Sequence, residues 1–209
     1  MTDSDPRDIS HDAAHKAIYF GPPDFEIRTA DDLNRYLDYL LSLIRGAETL
    51  FAAGHFYLAA FAAITAIEET SRAHLTVFRK ADAERQKGRD PLRDHHHKQK
   101  AAVSGVFMGE RMHEVLGGEE AAKDFHQKIN DGYLNEVREK SLYCFADGGG
   151  FARPMDFVDI ETARIILLVA IETADDTFCG MTTHSYHVSK EFDAIFEDVR
   201  GNRSSSSAK

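Results

Sequence analysis

The run FYLAAFAAITAI, residues 56–67, carries no charge, no Gly and no Pro. A helix that is apolar on every side has to be enclosed by other elements, so this stretch predicts the central rod of an all-α domain. The predicted rod extends from about His55 to Ala83. Its apolar half stops at two adjacent carboxylates, Glu68 and Glu69. A charge carried into a core needs a partner there, so this pair marks the place to look for chemistry.

The flanking sequence supplies helices to enclose the rod. Leu33, Leu37, Leu40, Leu41, Ile44, Ala47 and Leu50 recur at helical spacing, with Asp31 or Asp32 as the expected cap and Gly54 as the stop. A third helix is expected from near Asp94 towards Val115, and a fourth from Glu119 to Ser141 with a candidate break at residues 130–132. A fifth, capped by Asp156 or Asp159, carries Ile160, Ala163, Ile166, Leu167, Ala170, Ile171 and Ala174. Period-two alternation is absent. The expected fold is an all-α antiparallel helical bundle over residues 30–186, preceded by an irregular N-terminal arm over 1–29. Residues 187–209 are expected to form a short amphipathic segment and a disordered tail ending GNRSSSSAK.

Composition narrows the function classes. The 209 residues are 43% apolar, enough for one sizeable core, and only five are Pro, which suits helices. A net charge of −10 argues against unspecific coating of nucleic acid or anionic membrane. Cys144 and Cys179 are too few for a disulfide framework and are expected as reduced, partly buried thiols. The polar start MTDSDPRDIS does not read as a signal peptide, and no apolar run reaches the roughly 18 residues of a membrane span. A cytoplasmic protein without membrane contact is expected.

Three segments supply partners for the glutamates. Arg72 lies four residues after Glu68, so a structural pair on one helix is the plainest arrangement. In DHHHKQK, residues 94–100, three consecutive His cannot share a helix face, which argues against a three-ligand metal site; His95 and Lys98 can share one. In VREKSLYCF, residues 137–145, Arg138 and Tyr143 are separated by four residues at a helix end. Residues 79–100 hold eight Lys or Arg against four acids, a net of +4 suited to a focused phosphate contact.

Taken in order, GAETLFAAGHFYLAAFAAITAIEETSRAHL, RDHHHKQK and REKSLYCF resemble the AbiV family of phage abortive-infection proteins. The shared pattern is a Gly turn, an Ala-rich helix ending E-E-x-x-K or R, an H-x-x-K helix start and a later R-E-x-x-L-Y. The likeness covers about residues 35–180, with Arg72 where Lys is more usual. It implies a HEPN-like bundle, a homodimer, a phage-encoded protein trigger, and action on RNA or translation. Many HEPN proteins are metal-independent endoribonucleases carrying an Arg and a His with four to six residues between them. Arg138 then matches the arginine, and Tyr143 falls where the histidine would be. With a pKa of about 10 against roughly 6.5, Tyr is the poorer base at neutral pH, so His95 is the candidate imidazole. Arg89 also precedes His95 by six positions, but across a loop with Pro91 and too early in the bundle.

The resulting expectation makes Glu69, His95, Arg138 and Tyr143 catalytic, with Glu68, Arg72 and Lys98 binding substrate; no metal or cofactor is required. Arg138 would clamp the phosphate, His95 act as base or acid, Glu68 or Glu69 orient them, and Tyr143 donate a hydrogen bond. A first rival is a non-catalytic interaction module in which the same residues form a structural network. A second is a carboxylate-bridged metal bundle, which needs two E-x-x-H pairs where this chain has only Glu110–His113, with His184 and His187 elsewhere.

Overall fold

The computed structural model describes residues 5–18, 26–78, 90–103 and 105–201. Its elements are α1 (Pro6–Ile18), α2 (Ala30–Ala52), α3 (Phe56–Phe78), α4 (His95–Ala102), α5 (Glu110–Leu116), α6 (Glu119–Asn130), α7 (Tyr133–Lys140), β1 (Phe145–Asp147), β2 (Gly150–Ala152), α8 (Pro154–Phe157), α9 (Ile160–Phe178) and α10 (Thr183–Gly201). The fold is an all-α bundle, with one small hairpin.

The rod is α3. Its Ala59, Ala60, Ala63, Ile64, Ala66, Ile67 and Ala73 have no exposed surface, because α2 and α9 cover it most extensively. The alanines on α3 leave room for these neighbours to approach. α9 answers with Ile166, Leu167, Leu168, Val169, Ala170 and Ile171, all buried, and α10 packs onto α9 and α2 through Val188, Phe192, Phe196 and Val199. Short turns join α2 to α3 and α9 to α10, which makes each pair antiparallel. The short helices α4 to α7 lie on this frame, α4 and α7 against α3, and α6 against both.

Several expectations are corrected in detail. Thr29 caps α2, its hydroxyl accepting from Asp32 N at 3.1 Å while Asp32 accepts from Thr29 N at 3.1 Å; Asp32 thus closes a capping box from the third helical position. The arm expected to be irregular carries α1, whose Ser10, Ala13 and Ala17 form a buried stripe. The helix expected over 94–115 is divided after Ala102: Gly105 and Gly109 flank a 3-10 turn over Val106–Met108. The candidate break at 130–132 is present: the helix expected over 119–141 is interrupted at Gly132, whose φ of +104° costs a side-chain-bearing residue strain.

A β-hairpin stands where no alternation was read. Its three-residue strands are too short to show a period, and Gly148 and Gly149, both at positive φ, make the two-residue turn between Asp147 and Gly150. α10 crosses the boundary drawn after residue 186 and is a full 19-residue helix. Both cysteines are exposed, where partly buried thiols were expected. Residues 79–89, half of the basic stretch and including Arg89, and the tail beyond Gly201 lie outside the described residues.

Candidate functional site

Glu68 and Glu69 leave α3 about 100° apart, as successive helical residues must, and so meet different company. Glu68 is 3% exposed and faces α4 and α7. Glu69 faces α2: the Tyr36 hydroxyl donates to Glu69 Oε2 at 2.5 Å, and Arg72 stands 3.6 Å from the same oxygen. Burial, and then the adjacent Glu69 charge, raise the Tyr36 pKa above its ordinary value. Arg72 therefore pairs with Glu69, in place of the Glu68–Arg72 pair that spacing alone allowed.

Glu68 gathers four donors from two other helices. Oε2 receives His95 Nδ1 at 2.6 Å and Lys98 Nζ at 3.1 Å. Oε1 accepts from Gln99 Nε2 at 2.9 Å and faces Arg138 Nε at 3.6 Å. The Arg138 guanidinium carbon lies 5.4 Å from the Phe61 ring centre, and its buried Nε has no hydrogen-bond partner among the described residues. Charge and the ring hold Arg138 beside Glu68. Exposure rises towards the mouth: the Glu68 side chain is 5% exposed, Lys98 9%, Arg138 23% and His95 43%. One carboxylate, Glu68, here stands against two cations, Lys98 and Arg138, on a protein of net charge −10. Such a pocket attracts an anion.

The histidine run explains how α4 is aimed. Asp94 caps the helix, accepting from His97 N at 2.9 Å. The three imidazoles then fan out: His95 to Glu68, His96 Nε2 to the Asn130 carbonyl at 2.9 Å, and His97 Nε2 to the Ala13 carbonyl at 2.7 Å. A carbonyl only accepts, so His96 and His97 donate from Nε2; His95 donates from Nδ1 to a carboxylate, which leaves its Nε2 as an acceptor.

Of the residues singled out from sequence, Glu68, His95, Lys98 and Arg138 meet in one pocket. Glu69 and Arg72 sit on the α2 side with Tyr36. Tyr143, 68% exposed, is held through its backbone N–H to the Glu139 carbonyl, at 3.3 Å. Gln99, fully buried, was missed; it follows His95 by four positions, the same face that pointed to Lys98. Phe61 gave no signal, since an aromatic in an apolar run reads as core. His113 binds the Phe107 carbonyl and His184 binds Asp38, and among the described residues no three His, Cys, Asp or Glu side chains gather as metal ligands.

The family model for AbiV, a HEPN family, matches residues 32–174. The matched span contains Glu68, His95, Lys98 and Arg138 and leaves α1 and α10 outside it. No curated protein and no solved structure matches the chain. Among the described residues no helix is long and apolar enough to cross a membrane. The match covers well over half of the chain, which therefore belongs to the AbiV family of HEPN domains, the abortive-infection proteins of phage defence.

Proposed function

We propose that the Glu68 pocket is a metal-independent RNA-cleaving site through which this abortive-infection protein acts, with two copies paired and a phage protein as trigger. The observation that carries the reading is the 2.6 Å contact from His95 Nδ1 to a buried carboxylate flanked by Lys98 and Arg138. Glu68 fixes the tautomer and stabilises the imidazolium that forms, as a carboxylate does behind any catalytic histidine. His95 Nε2 takes the proton of a ribose 2′-hydroxyl. The 2′-oxygen forms a bond to phosphorus as the bond to the 5′-oxygen breaks, leaving a 2′,3′-cyclic phosphate. The departing 5′-oxygen takes its proton from solvent. Arg138 and Lys98 stabilise the charge developing on the phosphate, and the exposed Tyr143 hydroxyl donates a hydrogen bond to it. Glu69 and Arg72, committed to the α2 side, support packing in this scheme.

The test is expression of the wild type, His95→Ala and Arg138→Ala, scored by growth arrest, RNA integrity and thermal midpoint. Loss of a positioned general base costs about 10²–10⁴ in rate, so His95→Ala is expected to spare cellular RNA while the variant remains folded, as its thermal transition shows. RNA loss persisting in both well-folded variants sinks the reading.

One observation favours a second reading. Leu142, Tyr143, Phe151 and Met155 are all at least 40% exposed, and by the resemblance Tyr143 falls where a HEPN histidine would be. A non-catalytic module would use such side chains against a protein partner, with the Glu68 network as a structural clasp. Arg138→Ala would then lower the midpoint, and the wild type would leave RNA intact under every trigger.

A further inference from the structure

We propose that α1 is a positioning strap for the Glu68 pocket, with His97 as the residue that transmits its docking to His95. The proposal rests on the geometry around Glu68 and goes beyond the RNA-cleaving reading, since it concerns how the pocket is assembled whatever it acts on.

α1 lies ahead of the span matched by the family model. It is fastened in an unusual way. Its buried residues are Ser10, Ala13 and Ala17; the two alanines join Leu75, Leu92 and Ala101, with Ala14 and Ile18 partly buried against them, in a small cluster separate from the main core. Such short side chains remove little apolar surface from water. Hydrogen bonds to buried groups do much of the fastening instead. Ser10 Oγ is 2.7 Å from His126 Nε2 and donates to Asn130 Oδ1 at 3.2 Å; Asn130 Nδ2 donates to the Pro6 carbonyl at 2.9 Å; His97 Nε2 donates to the Ala13 carbonyl at 2.7 Å.

α4 depends on that attachment. It is eight residues long, and its buried residues are Lys98, Gln99 and Ala101. A helix this short does not persist without tertiary support. Glu68 holds one face of α4 and α1 the other, while the imidazoles of His95 and His97 are two residues apart on the same turn. Undocking α1 removes the Ala13 carbonyl from His97 and the cover from Ala101, and lets the first turn of α4 move away from Glu68. The main core, built by α2, α3, α9 and α10, does not pass through α1, so the strap can open while the bundle stays folded.

The test uses the full chain without RNA, so that it stands apart from the cleavage assay. Amide exchange is followed residue by residue, and the His95 tautomer is read from its ring ¹⁵N shifts, in the wild type, Ala13→Glu and Ser10→Ala. Ala13→Glu is expected to speed exchange in α1 and α4 by about tenfold or more and to abolish the fixed Nδ1–H form of His95, with α9 protection retained. Ser10→Ala is expected to move the same signals in the same direction, by less. Two results would overturn the proposal. One is free exchange of α1 with α4 and His95 unchanged. The other is loss of α9 protection in step with α1, in both variants, which would make α1 part of the core.

Discussion

At the scale of single residues the decisive object is a carboxylate with no room to change. Glu68 and Lys98 are both nearly fully buried and 3.1 Å apart, and Gln99 fills the other oxygen. Breaking a buried pair from one side leaves the other charge stranded, which costs about 3–5 kcal/mol. Glu68→Gln is therefore expected to lower stability by that amount in urea unfolding, and Lys98→Met by a similar amount. The double variant should recover part of the loss, because neither charge is then left alone; a strictly additive double variant would refute the coupling. Part of this site was legible in sequence: the three-residue interval put His95 and Lys98 on one helix face. That this face, the glutamates and Arg138 belong to one site was implied by the resemblance to the AbiV family, since they lie on three different helices. Tyr143 could not be placed that way, since it lies beyond the last turn of α7, where helical geometry no longer says which way a side chain points.

At the scale of elements, Gly132 decides where α7 begins. Its Cβ position lies 3.7 Å from the His96 ring, an ordinary contact, so the obstacle to substitution is the backbone at φ +104° and not a clash. Gly132→Ala is expected to cost about 1–2 kcal/mol in thermal or chemical unfolding. It should also weaken the His96 bond to Asn130, readable as faster exchange at the α6–α7 junction. The helices of the main frame were legible because their apolar faces are long. α1 and the hairpin were not: α1 buries Ser and Ala, which carry little hydropathy signal, and strands of three residues cannot display a period. The split of the expected third helix was written in Gly105 and Gly109, which a periodicity reading passes over when apolar residues continue on both sides.

At the scale of the whole molecule, two buried groups pull the pH dependence of stability in opposite directions. Burial lowers the His126 pKa from 6.5 to about 4, so the folded state resists its protonation; stability is full above 6.5 and falls as pH drops towards 4. Burial raises the Glu172 pKa from 4.5 to about 7, against the pull of Arg111 and with the help of Asp176 and Asp175. Its contribution is full below 4.5 and is lost as pH rises towards 7. Over their shared range the slopes oppose each other. Glu172→Gln should therefore make stability rise more steeply with pH between about 4.5 and 7 than in the wild type, and His126→Gln should make it rise less steeply or fall. Urea midpoints across that range, parallel in all three proteins, would contradict both assignments. One feature of the molecule also limits how it can vary. Three neighbouring imidazoles each reach a different helix, so an inserted or deleted residue between Asp94 and Gln99 would swing everything downstream by about 100° and misdirect several tethers together. That segment can exchange side chains one at a time, but its length is fixed by the spacing of the walls it joins.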